Sequence, residues 1–222
     1  ARVYRDMARY SMAVVFRSEA IMPVELFRQI SEIRSMMDQG LDTAMIRSRF
    51  DRFYKDFHMP VDRDIFAAMM EAYGEGMDRD LQPSFFSEIR GKYRGDYARF
   101  AAAAYRKSMF SDRDEVLKLL DRYAKNQERA RRMIDQDPLA VCLDQFSELY
   151  ATRIEPVYGK LQQQLQHLYG KYMAALLEMS GDRRLYPDAN FTMRVTHGKV
   201  EGYEPWDGIR YQYSTTLSGV ME

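Results

Sequence analysis

The chain has few of the residues that enzymes most often use for nucleophilic catalysis or for binding metals. Its 222 residues include one cysteine, one tryptophan and three histidines. A single cysteine excludes a disulfide within the chain and says little about the cellular compartment. Cys142 falls on the apolar face of a predicted helix, where a free cysteine behaves as a small buried hydrophobe. We therefore predict a structural role for Cys142.

The chain also lacks an excess of charge of either sign, because 33 Lys and Arg residues balance 33 Asp and Glu residues. One basic run interrupts this balance, and it consists of Arg122, Lys125, Arg129, Arg131 and Arg132. Acidic residues are interleaved with it at positions 121, 128, 135 and 137. This alternation predicts ion pairs along a solvated helix face and no nucleic-acid partner. No apolar run reaches the ~18 to 20 residues of a membrane-spanning helix, so we predict no membrane span.

The histidines do not stand in motifs that indicate catalysis. His58, His167 and His197 are far apart in the sequence, and none is close to a Ser, Cys or carboxylate in a known catalytic pattern. The spacings of helical zinc and di-iron sites are also missing. Glycine pairs at 91 and 95 and at 198 and 202 do not form a phosphate-binding turn. We predict no catalytic residue, no metal and no cofactor within the chain, and leave substrate-binding residues unassigned.

What the chain does have is a large supply of core residues in helical patterns. Residues are 46% hydrophobic, with 16 Met, 16 Tyr and 12 Phe. Apolar residues recur at steps of three and four from residue 1 to about 183, and Pro, Gly and Asp residues mark the starts and ends of the segments. The predicted helices span 2–22, 23–39, 42–59, 62–74, 83–93, 96–109, 112–134, 138–150 and 156–179.

The helix predicted at 156–179 has the most regular pattern. Its apolar residues alternate steps of three and four over three heptads, and they are Tyr158, Leu161, Leu165, Leu168, Tyr172, Ala175 and Met179. This spacing is typical of a seam that packs against a long antiparallel helix. The segment 112–134 has the same spacing and is the predicted partner. Asp62 is predicted to cap the helix that follows Pro60.

The last forty residues follow a different pattern, with apolar residues alternating at 191–195 and again at 209–215. A short run at 199–203 lies between them, and 204–208 ends in Asp207-Gly208, a favoured turn dipeptide. We predict a β-hairpin. Because a lone hairpin is marginal in water, we expect it to belong to a β-barrel that the chain does not contain, and the chain to be a piece of a longer protein. Trp206 fits either recognition or packing under the turn.

Several segments of the tail and of the helical region resemble the bacterial serine dipeptidyl-peptidases, typified by dipeptidyl-peptidase seven and dipeptidyl-peptidase eleven. They are RLYPDANFTMRV at 184–195, GKVEGY at 198–203 and TTLSGVME at 215–222, with FYKDF at 53–57, DRDIFAAMM at 62–70 and KYRGDY at 92–97. The likeness is most specific from 184 to 203. His197 stands where that family more often has Tyr, which is a small departure.

This resemblance implies a chymotrypsin-like double β-barrel with a helical domain inserted into it. Residues 1–183 would be the helical lid over the substrate cleft, and 184–222 a partial β segment of the protease domain. The parent would remove dipeptides from peptide N-termini in the periplasm or at the surface of a Gram-negative bacterium. Its partners would be peptide substrates, the remainder of its own protease domain and, through the exposed hairpin edges, a second copy.

The resemblance also implies that the catalytic His and Asp precede the helical domain and that the Ser follows the tail. No member of the triad is therefore carried onto this chain, and we expect the chain itself to be inactive. Family members hold the substrate's α-amino group with polar residues, but Asn126 and Asn190 match no such motif. The alternative is an independent helical module that binds a partner helix or peptide in a Met- and aromatic-lined groove. A helical-bundle enzyme that holds a metal or a cofactor is disfavoured because the chain has few residues that could serve as ligands.

Overall fold

The computed structural model describes residues 2–181, 183, 193 and 195–219, which are almost entirely helical until residue 180. The elements are α1 Arg2–Ile21, α2 Glu25–Asp38, α3 Thr43–Asp56, α4 Met59–Gly76, α5 Phe85–Lys92, α6 Tyr97–Lys107, α7 Arg113–Lys125, α8 Gln127–Asp135, α9 Pro138–Leu149, α10 Glu155–Ser180, β1 Tyr203–Trp206 and β2 Ile209–Tyr211. A π turn, Tyr150–Ile154, joins α9 to α10. The predicted fold class, mainly α with a C-terminal hairpin, is confirmed.

The chain divides into two compact units, residues 1–173 and 174–222, and the boundary between them lies within α10. Our predicted boundary at 183/184 separates helix from tail and stays a prediction.

Side-chain caps explain why many of the helices begin where they do. Asp96 accepts a hydrogen bond from the backbone N–H of Arg99 at 2.8 Å, and Asp112 accepts one from Asp114 at 2.8 Å. Asp137 accepts one from Leu139 at 2.9 Å. Each carboxylate satisfies an N–H group that has no partner inside its helix. The starts predicted from these aspartates are confirmed.

Two helix predictions were wrong, and in each case a polar residue, Asn126 or Asp62, caps a helix that the prediction did not assign to it. The single helix predicted at 112–134 is broken at Asn126, whose extended backbone ends α7 and whose side chain caps α8 through the N–H of Arg129. Helix α4 begins at Met59, so Pro60 lies in its first turn, where the missing N–H costs nothing. Asp62 is therefore inside α4 and does not cap it.

The predicted seam of α10 is also corrected. Leu161 is buried, but Leu168, Tyr172 and Met179 are exposed. The predicted partner, 112–134, is not one long helix but the pair α7 and α8, which pack on each other. The regular spacing thus predicted the helix correctly and its packing incorrectly.

The hydrophobic core extends through helices α1 to α9, and aromatic rings fill the part of it between α4, α5, α6 and α9. The rings of Phe85 and Phe100 are nearly parallel with centroids 5.7 Å apart, and those of Tyr73 and Phe146 meet edge to face at 5.1 Å. Burying each such side chain stabilises the fold by roughly 1.5 to 3 kcal/mol. The hydroxyl of Tyr73 donates to the carbonyl of Leu81 at 2.9 Å, so this ring enters the core without leaving a polar atom unpaired.

The hairpin pairs Tyr203 with Tyr211 and Trp206 with Ile209 in antiparallel register. Its turn is Asp207-Gly208, and Gly208 has a φ of +81°, which favours glycine. The turn was predicted at 204–208, but 204–206 belong to β1. A proline is tolerated in this strand because its missing N–H can face the edge that forms no hydrogen bonds with a further strand. The second strand was predicted at 209–215 and ends at Tyr211. Of the other predicted strand, residues 191, 192 and 194 lie outside the described residues.

Candidate functional site

A groove of about 1150 Å³ lies between α2, α3 and the first turns of α4. We refer to it as the α2–α3 groove. Its apolar lining includes Met36, Phe53, Phe57, Val61 and Ile65. The rings of Phe53 and Phe57 are 4.8 Å apart, one helical turn from each other along the end of α3. Apolar side chains with a few polar groups among them are typical of ligand-binding clefts.

Charged residues of both signs line the same groove. Arg49 on α3 donates to Glu32 on α2 with Nε and Oε1 2.6 Å apart, which bridges the two walls. Arg52, Asp56 and His58 also line it and form no ion pair or hydrogen bond that involves their side chains among the described residues. The field inside the groove is therefore mixed rather than that of a site for a polyanion.

Asp62 reaches this groove from α4 and is 3% exposed. Its carboxylate accepts the backbone N–H of Glu25 at 2.6 Å and that of Leu26 at 3.3 Å, so it caps the start of α2. The hydroxyl of Tyr105 on α6 donates to it at 2.6 Å. Burial raises the pKa of Asp62 above its ordinary value, and the three hydrogen bonds oppose that rise. One carboxylate thus joins three helices.

Gln29, on α2, is the other buried polar residue that lines the groove, and it is 4% exposed. Its Oε1 atom is buried and has no hydrogen-bond partner among the described residues. The sequence analysis missed Gln29 and assigned Asp62 to the start of its own helix instead of to the start of α2. Gln29 lies next to Ile30 within the apolar stripe of α2, and a polar residue in that position was the available signal.

The residues considered for catalysis are dispersed. His58, His167 and His197 are all exposed, and none donates or accepts a side-chain hydrogen bond within the described part of the chain. Cys142 is buried in α9 as predicted, and burial raises the pKa of its thiol, which favours the protonated, unreactive form. Among residues 2–181, 183, 193 and 195–219, no group of His, Cys, Asp and Glu side chains is placed to hold a metal ion.

The remaining candidates from the sequence have other roles or lie in solvent. Of the basic run, Arg132 lies 3.6 Å from Glu128 one turn away, as expected, whereas Arg131 pairs with Asp38 on a different helix, α2. Asn126 is a helix cap, and Asn190 lies outside the described residues. Trp206 is 64% exposed, so it does not pack under the turn. Within the described residues, no helix combines the length and apolar character that crossing a membrane requires.

Comparison with protein families gives one match that covers nearly the whole chain. A family model described as Peptidase S46 matches residues 14–222. The chain is 31% identical over 201 residues to dipeptidyl-peptidase 7 of Porphyromonas endodontalis, covering 90% of this chain and 24% of that protein. It is 30% identical over 232 residues to the Asp/Glu-specific dipeptidyl-peptidase of Capnocytophaga gingivalis, covering 100% and 31%. The chain thus spans about a quarter to a third of these curated relatives.

Solved structures agree with the fold. The crystal structure of Porphyromonas endodontalis DPP11 in complex with the dipeptide Arg-Glu superposes with a TM-score of 0.57 at 24% identity, over 100% of this chain and 33% of that one. A second structure of Porphyromonas endodontalis DPP11 gives a TM-score of 0.56 at 25% identity, over 95% and 33%.

Proposed function

The chain belongs to the Peptidase S46 family, and we propose that it forms the helical lid and a partial β segment of the protease domain of a dipeptidyl-peptidase that removes dipeptides from the N-termini of peptides. The observation that carries this proposal is the family match over residues 14–222, together with 30–31% identity to two proteins named as dipeptidyl-peptidases. Only one of these two relatives is named as Asp/Glu-specific, so we assign no cleavage preference to the proposed enzyme.

In this proposal the chemistry is of the serine type and is performed by residues that lie elsewhere in the enzyme. A nucleophilic serine needs a histidine within hydrogen-bond reach and a third group that orients the histidine. The exposed, separated positions of His58, His167 and His197 support assigning no catalytic role to them. Residues 1–183 would act by steric exclusion, and 184–222 would belong to the protease domain.

The helical lid would restrict the substrate cleft to short, unfolded N-terminal segments of peptides. Its opening and closing would admit the peptide and release the dipeptide. Its partners in this role are the remainder of the protease domain and the peptide substrate, with a second copy as a further partner. We also propose a location in the periplasm or at the surface of a Gram-negative bacterium.

The test compares the complete protein encoded by the gene that contains this chain with the 222-residue chain alone. We expect the complete protein to release dipeptides from chromogenic dipeptidyl substrates with a free amino group, but not from N-acetylated ones, and to be labelled by a serine-directed fluorophosphonate. The 222-residue chain should show neither property. Failure of the complete protein to cleave any dipeptidyl substrate would refute the proposal, and cell fractionation tests the location.

The second candidate, an independent helical interaction module, is favoured by one observation, the Met- and aromatic-lined α2–α3 groove. The coding sequence on either side of the chain distinguishes the two. A His and an Asp upstream and a Gly-rich serine motif downstream support the peptidase, and their absence supports the module.

A further inference from the structure

The π turn Tyr150–Ile154 lies where the chain changes from a buried helix to an exposed one. Six of the 12 residues of α9 are buried, whereas Leu161 is the one buried residue among the 26 of α10, all of which the structure describes. Helix α9 is therefore fixed in the core, and α10 leaves it as a long element with little packing to hold its direction. Segments with few buried contacts are those that move most readily in a folded protein.

The backbone of the π turn is suited to bending. The N–H of Glu155 donates to the carbonyl of Tyr150, five residues earlier, whereas an α-helix uses the carbonyl four residues earlier. The hydroxyl of Thr152 donates to the carbonyl of Glu148 at 2.7 Å, and side-chain bonds of this kind bend helices. Because helices kink at such interruptions, a change of direction costs less here than within α9 or α10.

One contact from another helix opposes bending of the turn. The guanidinium of Arg17 on α1 lies over the ring of Tyr150, with Cζ 4.4 Å from the ring centroid. Its Nε is buried and has no hydrogen-bond partner among the described residues, so the face of the ring supplies the attraction at this point. Such a contact can break and form again without leaving a broken hydrogen bond behind.

We propose that the π turn is a hinge at which α10 changes direction relative to α1–α9, and that the contact between Arg17 and Tyr150 is the latch that holds one direction. The inference deepens the proposed function and rests on it only for its consequence, which is that this hinge moves the helical lid in the complete enzyme. The hinge itself is a property of the helices. Its test uses no substrate, so it can fail while the complete protein cleaves dipeptides, and succeed while it does not.

The test is double electron–electron resonance on the full chain with two spin labels. Ala72→Cys on α4 and Gln166→Cys on α10 place the first pair of labels at exposed positions on either side of the hinge. Ala72→Cys with Ala102→Cys on α6 gives a second pair that does not cross the hinge. Cys142 is buried in α9 and stays unlabelled in the folded chain. The first pair reports the direction of α10, and the second reports whether the core is intact.

Two substitutions remove the latch, and two others are matched to them. Tyr150→Leu removes the ring, and Arg17→Met removes the charge. Tyr150→Phe keeps the ring face and is the conservative rescue. Arg153→Met is the control, because it removes a guanidinium from the same turn, but one that is 55% exposed and 3.9 Å from the carboxylate of Asp80.

We expect the wild-type chain to give a major and a minor distance for the first pair of labels. Tyr150→Leu and Arg17→Met should each raise the ratio of minor to major population by roughly 5- to 30-fold, as the strength of a partly desolvated cation–π contact implies. Tyr150→Phe and Arg153→Met should change that ratio less than about twofold. The second pair should keep one distance in every variant.

Three results would each overturn the proposal. A single distance for the first pair that no substitution alters would show that the π turn is rigid. An equal effect of Arg153→Met and Arg17→Met would show that the contact with the ring is not the latch. A change in the second pair in both latch variants would show that the core moves and the hinge does not.

Discussion

The carboxylate of Asp62 accepts the backbone N–H of Glu25 at 2.6 Å, so a residue inside one helix caps the start of another that lies 37 residues earlier. A helix start normally receives its cap from the residue just before it. Here that residue is Val24, which has no side-chain acceptor. The cap of α2 is supplied by tertiary structure, and the loss of Asp62 must therefore affect packing between helices as well as α2 itself.

We predict that Asp62→Ala destabilises the chain by about 3 kcal/mol, because it leaves two backbone N–H groups and the Tyr105 hydroxyl without their charged acceptor. Urea unfolding followed by circular dichroism measures the change. Asp64→Ala is the matched control, since Asp64 is exposed and its carboxylate pairs with Arg63, its neighbour in sequence; it should shift the free energy of unfolding by less than about 0.5 kcal/mol. Equal effects of the two substitutions would contradict the prediction.

The pH dependence of stability provides a second prediction. Burial raises the folded-state pKa of Asp62 above its ordinary value of 3.8, so between these two values the folded chain holds a proton that the unfolded chain has lost. The part of the stability that comes from binding this proton is thus complete below pH 3.8 and is lost as the pH rises through the folded-state pKa, whereas the three hydrogen bonds to the carboxylate remain.

Asp62→Asn removes this titration, so the free energy of unfolding of the variant minus that of wild type should increase with pH across that interval. Chemical denaturation at a series of pH values measures it. A difference that falls with pH for Asp62→Asn would show that the sign is wrong.

The bridge between Arg49 and Glu32 should contribute little to stability although it joins the two walls of the groove. The two side chains are 56% and 25% exposed, so water screens their attraction. A double-mutant cycle of Arg49→Ala and Glu32→Ala should give a coupling of less than about 1 kcal/mol that decreases with added salt. A larger coupling that salt does not change would mean that the pair is desolvated.

Gly202 should be required for the hairpin because a Cβ atom there would lie 2.4 Å from the carbonyl oxygen of Tyr211. We predict that Gly202→Ala separates the stacked rings of Tyr203 and Tyr211, whose centroids are 5.2 Å apart. Loss of the nuclear Overhauser contacts between these rings would report it. Gly198→Ala meets no atom within 4 Å and should leave those contacts in place.

The sequence allowed the helices to be located because their signals are local. Asp96, Asp112 and Asp137 stand next to the N–H groups they cap, so residue type and spacing were sufficient. Asn126 has the same local chemistry, but it lies within a continuous apolar pattern that crosses the break, and the pattern was given more weight than the cap.

The candidate site could not be located in this way. The partners of Asp62 are 36 to 43 residues away, and no local pattern encodes them. Gln29 is distinguished only by a missing hydrogen bond, which exists as a property of the folded chain. The exposed seam of α10 shows the same limit, since spacing defines a face but not what covers it.

The π turn at Tyr150–Ile154 has a consequence for relatives that differ in length there. The ring of Tyr150 lies under the guanidinium of Arg17, with 4.4 Å from Cζ to the ring centroid, so α1 is attached at this turn. A π turn accommodates one residue more than an α turn, and one residue corresponds to about 100° of rotation about a helix axis. A homologue with one residue deleted between 150 and 154 would form an uninterrupted rod from α9 to α10, and Leu161 would then point toward solvent instead of toward the interior.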